Sequence, residues 1–238
     1  MELNFGIEDW AGWIPGASNE EQWRIWANSQ ETFQSLVETQ EQPNVKVIPP
    51  MLRRRLSPMG RAAASVMLPL FATHGAMPIV YISRHGEVAK TLEMLTHLAQ
   101  ETPLSPAAFS LSVHNALAGL LSIQQKSDAA ITAIAAGKND LAPALIEAIG
   151  QLSSETPKVL CIFCDTPVPG FYQSQLPPSV MFAAAFVISD QFQYQLVANP
   201  TDQGSDTLGM QPQALQLLKS LLLEESSLQI DNWKIVSQ

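Results

Sequence analysis

Cysteine is scarce in this chain. Only Cys161 and Cys164 occur among 238 residues, and they read as free thiols of a reducing compartment. No run of eighteen or more apolar residues exists, so no membrane-spanning helix is expected. The opening Met1-Glu2-Leu3-Asn4 lacks the basic and apolar regions of a signal peptide; a cytoplasmic location is the expectation. Cations are also few: 13 Lys and Arg stand against 22 Asp and Glu, a net charge of −9. Phosphate backbones need a basic surface, so nucleic-acid partners are excluded. No glycine-rich phosphate loop is present, and no His/Asp/Glu cluster has metal spacing. Neither a cofactor nor a metal is therefore expected.

What is present suits one large α/β domain spanning residues 1–238, with an apolar fraction of 46%. Leu3 to Ile7 reads as a short strand, with Trp10 and Trp13 in a turn closed by Pro15-Gly16. Ser18 is the expected N-cap of a helix carrying Trp23 and Trp26. Gln40 to Pro50 reads as a loop. Ser57-Pro58 opens a long helix to His74, serine at the cap and proline at the first helical position. Ile79 to Ser83 is a buried strand, and Gly86 to Leu98 a helix with Val88, Leu92, Leu95 and Leu98 on one face. Ser105 to Phe109 is a helical turn, Ser110 to Val113 is extended, and Asn115 to Ile123 is a helix of small residues. Ala129 to Ala133 is a strand and Gly137 to Ile149 a helix. Lys158 to Cys164 is a buried strand. Val180 to Ser189 and Gln191 to Ala198 read as a hairpin about Asp190-Gln191. Residues 200–238 supply a helix, Gln211 to Glu225, and a candidate last strand, Leu228 to Val236. Strands alternating with helices imply a mixed, mostly parallel sheet with helices on both faces.

Within this order, Thr132-Ala133-Ile134-Ala135-Ala136-Gly137 runs from strand to helix. A strand-to-helix elbow is good ground for a nucleophile, because free N–H groups and the helix dipole favour negative charge there. Ile134 has no heteroatom to attack with.

The ordered set from Ser105 to Ser189 resembles the β-ketoacyl synthase family of the thiolase fold. Ser105-Pro106, Phe109, Asn115-Ala116-Leu117-Ala118-Gly119 and Ile123 precede the strand Ala130-Ile131-Thr132-Ala133. Ile134 falls where that family carries its reactive cysteine, and Ala135-Ala136-Gly137 follows. Two departures stand out. The strand Lys158 to Asp165 ends Cys164-Asp165-Thr166 where the family has Ala-Gly-Gly, and no histidine follows Ile134: His74, His85, His97 and His114 all precede it. Phe5-Gly6-Ile7 and Arg53 to Ser57 are similar to a smaller branch, the synthase-like proteins and chain-length factors of bacterial aryl polyene pathways.

The resemblance implies half of a thiolase-like fold on a five-stranded sheet and no catalysis, because the sulfur and the later histidines are both missing. It implies a non-catalytic chain-length factor in a heterodimer or higher heteromer with an active β-ketoacyl synthase, meeting the acyl carrier protein only indirectly. Asn115, Ala116, Ala118 and Gly119, with Ala129, Ala130, Ile131, Thr132 and Ala133, are the implied partner interface. Ala107, Ala108, Phe109, Leu111, Val113 and Leu117 are the implied walls of the partner's acyl tunnel. Arg53, Arg54 and Arg55 are the candidate contact for a carrier or its phosphate, against the plainer reading of ion pairs within the chain.

Two other readings stay open. One is a small acyl-thioester hydrolase or acyltransferase using Ser112 or Ser122 with His114; against it, His114 reads better as a structural residue at an interface or helix cap. The other is a self-associating scaffold of fatty-acid metabolism. Cys161-x-x-Cys164 lies in a strand, where alternation sends the two side chains to opposite faces, so a redox or metal pair is disfavoured. The tryptophans at 10, 13, 23 and 26 read as packing rather than as a ligand box.

Overall fold

The computed structural model describes residues 1–29, 41–137, 139–176, 180–199 and 211–238. Gln40 of the expected loop, and residues 200–210 of the expected C-terminal segment, lie outside them.

A single mixed sheet organises the molecule. Its strands are β1 (Glu2–Trp13), β2 (Ile79–Ile82), β3 (Ile131–Ile134), β4 (Lys158–Asp165), β5 (Phe182–Ala198), β6 (Ser227–Ile230) and β7 (Trp233–Ser237). β2 pairs in parallel with β3 and β4, whereas β4–β5, β1–β5, β5–β7 and β6–β7 are antiparallel. Five strands form the expected layer in the order β3-β2-β4-β5-β1, and β7-β6 extend the sheet from the far half of β5. The sheet therefore has seven strands rather than five, and its pairings are more antiparallel than parallel.

Two individual strand readings are also corrected. The expected hairpin about Asp190-Gln191 is one continuous strand. Neither residue takes the positive φ that a two-residue hairpin turn demands. Their polarity marks instead a solvated bulge, where Phe5 pairs with Tyr194 and the next residue, Gly6, pairs with Ser189. β1 spans this whole length, so Trp10 and Trp13 sit in the strand and not in a turn. At the C-terminus the single expected strand is a hairpin, β6 and β7, folded at Asp231, whose φ is 50°.

The helices are α1 (Glu20–Asn28), α2 (Pro50–Arg55), α3 (Pro58–His74), α4 (Val88–Ala99), α5 (Pro106–Ser110), α6 (Ala116–Gln125), α7 (Leu141–Gln151) and α8 (Gln213–Leu222). α3 begins and ends as its sequence predicts, with the Ser57 hydroxyl accepting from the Gly60 N–H at 3.0 Å. The cap of α1 is Asn19 rather than Ser18, its side chain accepting from Gln22 N–H. α2 lies at the end of the segment read as a loop. Ser110 to Val113 turns between α5 and α6 and is not extended.

Helices cover both faces, as expected. Val159, Cys161 and Phe163 of β4 face α1, α7 and α8 in one core. Leu160, Ile162 and Cys164 face α3 and α6 in the other. This period of two places the cysteines on opposite faces, both buried and free. The tryptophans are packing, as read: Trp23 and Trp26 meet edge-on at 5.1 Å, and the Trp23 indole donates to the Gly12 carbonyl at 3.0 Å.

Gly12 is where β1 admits that indole. A Cβ there would stand 2.7 Å from the Trp23 ring and 2.9 Å from Leu218. Gly12→Ala should lower stability by about 1–3 kcal/mol through overpacking, read as a lower denaturant midpoint with an unchanged slope.

Candidate functional site

The site gathers at the C-terminal ends of the parallel strands β2, β3 and β4. β3 forms one edge of the sheet, and no described strand pairs with its outer side. Ile134 is its last residue, half-buried against the core on the α7 face. The expected elbow is not tight. Helix α7 starts at Leu141 rather than Gly137, and Gly137 takes a φ of 72° in the connection. The first turn of α7 is engaged elsewhere, since Leu141 N–H donates to the Gln213 side chain at 3.1 Å. The helix start is thus withdrawn from Ile134. The Ile134 carbonyl accepts from Ser83 N–H at 3.3 Å and from His114 Nε2 at 3.2 Å. Because a carbonyl only accepts, that bond requires the imidazole proton on Nε2.

Beside β3 lies a polar cluster that sequence reasoning did not assemble. Asp165, the residue that breaks the family's glycine pattern, ends β4. Its carboxylate accepts from the Ser83 hydroxyl at 2.8 Å and from Arg84 N–H at 3.0 Å. Burial pushes Asp165 up to about 6, and these hydrogen bonds and the Arg84 charge pull the other way. Asp140, at the N-cap of α7, is also buried. Burial first, then the Asp165 charge, push it up to about 7. Asp140 Oδ1, Arg84 Nε and His85 Nε2 are buried without a hydrogen-bond partner among the described residues. Beneath them, the Cys164 thiol donates to the Tyr81 hydroxyl at 3.2 Å. Burial raises both groups, so both stay protonated and neither is a nucleophile.

Helices α4 and α5 pack against each other and are largely exposed. Residues 101–110 are all exposed. Phe109 is 60% and Val113 41% exposed, and Ala107 and Ala108 are also exposed. None of the α4 residues is buried; Leu95 and Leu98, on its apolar stripe, stand 50% and 55% exposed. That stripe is legible in sequence, but its exposure is not. Two observations bear on the expected contacts. Leu117 and Ala118 point inward from α6 into the core against α3, because the helix must bury one face, so neither lines an outer surface. Arg53, Arg54 and Arg55 form the last turn of α2, and none makes an ion pair among the described residues.

The sequence matches the family described as "Beta-ketoacyl synthase, N-terminal domain" over residues 23–234. The chain belongs to that family. A chain from the complex of a ketosynthase (ApeO) with its chain length factor (ApeC) from Xenorhabdus doucetiae superposes with a TM-score of 0.86 at 29% identity, covering 98% of this chain and 99% of that one. A β-ketoacyl synthase from Burkholderia phymatum STM815 follows at TM-score 0.59 and 10% identity, over 94% of this chain and 71% of that one. The ishigamide ketosynthase/chain length factor gives 0.54 at 9% identity, over 85% and 68%. These last two likenesses show the thiolase-like ketosynthase fold alone. No curated protein matches.

Within this synthase domain, the serine–histidine pairing is not assembled. The Ser112 hydroxyl donates to the Phe109 carbonyl at 2.8 Å and that of Ser122 to the Gly119 carbonyl at 3.0 Å. Neither meets His114. No helix among the described residues is long and apolar enough to cross a membrane.

Proposed function

We propose that the chain is a non-catalytic chain-length factor, bound to an active β-ketoacyl synthase in aryl polyene-type polyketide biosynthesis. The observation that carries this reading is an aliphatic residue, Ile134, closing a strand whose outer edge is open. An open edge invites pairing with another chain and is a liability until covered. Asn115, Ala116, Gly119 and residues 129–133 would form the contact. The apolar stripe of α4 would extend it toward the large, apolar interface of obligate complexes. The complex named for the Xenorhabdus relative supports the same partnership. Arg53, Arg54 and Arg55, which make no ion pair among the described residues, would be available for an acidic carrier.

Co-expression with a ketosynthase from the same genome tests the proposal. The two chains should co-purify, and carbon–carbon bonds should form only when both are present. Condensation by this chain alone would refute the non-catalytic role. A self-associating scaffold would instead give a stable homomer by light scattering, indifferent to the ketosynthase.

Ala107, Ala108, Phe109, Leu111 and Val113 would shape the end of the partner's tunnel. A filled wall rejects an extra two-carbon unit by overpacking, about 1–3 kcal/mol per misfit, or roughly ten-fold in product ratio. Phe109→Ala should lengthen products and Ala108→Phe should shorten them, by mass spectrometry of the released chains. Leu117→Ala should leave length alone and cost about 2–5 kcal/mol of stability, because Leu117 sits in the core.

A further inference from the structure

Residues 105–113 carry the exposed apolar side chains of that surface, yet little holds them in place. α5 is only five residues long, and none of it is buried. Its hydrogen bonds are local: Ala108 N–H to the Ser105 hydroxyl, the Ser110 hydroxyl to the Pro106 carbonyl, and the Ser112 hydroxyl to the Phe109 carbonyl. Among the described residues, two bonds tie the segment and its flanking His114 to the rest of the fold. Lys90 Nζ donates to the Leu111 carbonyl at 3.2 Å. At the other end, His114 Nε2 donates to the Ile134 carbonyl at 3.2 Å.

Both ties run to rigid ground. Lys90 also lies 3.3 Å from Glu87 Oε1. That carboxylate is almost wholly buried and accepts from the Ser57 hydroxyl at 2.6 Å. Ser57 caps α3, whose inner face lies in the core. The lysine is therefore held over the Leu111 carbonyl by a relay that ends on a buried helix. The His114 ring meets the buried Tyr81 ring edge-on at 5.8 Å. Gly86, at φ +54°, leaves room for it: a Cβ there would stand 2.9 Å from His114 Nδ1. One clamp is thus ionic and the other steric, and they bracket Val113.

We propose that Lys90 and His114 are positioning residues that fix where Phe109 and Val113 stand, and thereby hold the partner's product length to a narrow range. The inference rests on the chain-length-factor reading, and on no contact of either residue with the acyl chain. A wall discriminates by volume only if its atoms stay in place. Releasing either tie lets the wall sample several positions, and the cut-off between chain lengths blurs.

The test uses the reconstituted complex of this chain with its ketosynthase, at matched complex concentration, reading the product-length distribution. Lys90→Met removes the ammonium and keeps the stem; Lys90→Arg restores a cationic donor. His114→Phe keeps a ring against Tyr81 and loses the bond to Ile134. Losing one such bond should shift the ratio of the main product to its neighbours by roughly two- to ten-fold, with both longer and shorter chains appearing. Lys90→Arg should return the distribution toward that of the wild type. Phe109→Ala is run alongside. If it lengthens products while Lys90→Met and His114→Phe keep the wild-type distribution, the positioning role is overturned and the chain-length-factor reading survives. If Phe109→Ala changes nothing either, both are overturned. Should His114→Phe fail to assemble, Lys90→Met carries the test alone, since the Lys90 side chain is partly exposed and fills no core space.

Discussion

Ala133→Pro should sever the proposed partnership while leaving the fold standing. Ile79 N–H donates to the Ala130 carbonyl at 2.9 Å, and Ser83 N–H to the Ile134 carbonyl at 3.3 Å. Even-numbered residues of β3 therefore hydrogen-bond to β2, and alternation turns the N–H and carbonyl groups of Ile131 and Ala133 toward the open edge. Proline at 133 deletes an outward donor and spares the ladder to β2, as edge strands permit. The preceding Thr132 is already extended, the conformation a following proline requires. A carbonyl of the incoming strand would be buried without its donor, at a cost of about 1–3 kcal/mol. Affinity should fall roughly ten- to hundred-fold, and more where the ring crowds the partner backbone. Titration against the ketosynthase reads the loss; circular dichroism and thermal melting should match the wild type. Ala133→Ser keeps the N–H and should bind normally. Wild-type affinity for Ala133→Pro would remove β3 from the interface.

Asp140→Asn should make the chain more stable, and only where Asp140 is ionised. Burial pushes this carboxyl up to about 7 in the folded chain; in the unfolded chain it titrates near ~4. Between those values the folded state binds the extra proton, so stability falls as pH rises, and the full penalty is reached above about pH 7. A shift of this size corresponds to about 4 kcal/mol at pH 8, taken as an order of magnitude. The variant should gain most of that at pH 8 and almost nothing at pH 4, measured by denaturant unfolding at both values. An equal gain at both would show that shape, not charge, is responsible. Asp165 is also raised and shares the sign. Asp165→Asn should nonetheless lose stability at pH 8, because its carboxylate holds Ser83 and Arg84 in the turn after β2.

Local signals explain what was legible. α3 matches its expected bounds because Ser57, Pro58 and Gly75 are capping residues whose preferences act within one turn. β2 and β4 are legible because a β-branched run, buried on both faces, admits few alternatives. The elbow was misplaced because its loop length is set by Leu141, Ala144, Leu145 and Ala148, which must reach the core. The continuity of β5 is not legible because it depends on β1, about 180 residues earlier in the chain.

The candidate site divides in the same way. The places of Ile134 and Phe109 in the order of short motifs are legible, but the exposure of Phe109 is not. The Asp140–Asp165–Arg84 cluster is not, since its members come from three separate segments and only the sheet brings them together.

By itself, then, the sequence determined the absence of sulfur at position 134, the family, and the α/β alternation, because these depend on residue identity and near neighbours. The tertiary structure alone decided that β3 is an edge strand with no described partner on its outer side, that Leu117 turns inward while Phe109 turns out, and that two carboxyls share one buried corner. Each of these depends on which surfaces the fold covers, and burial is a property of the whole packed chain.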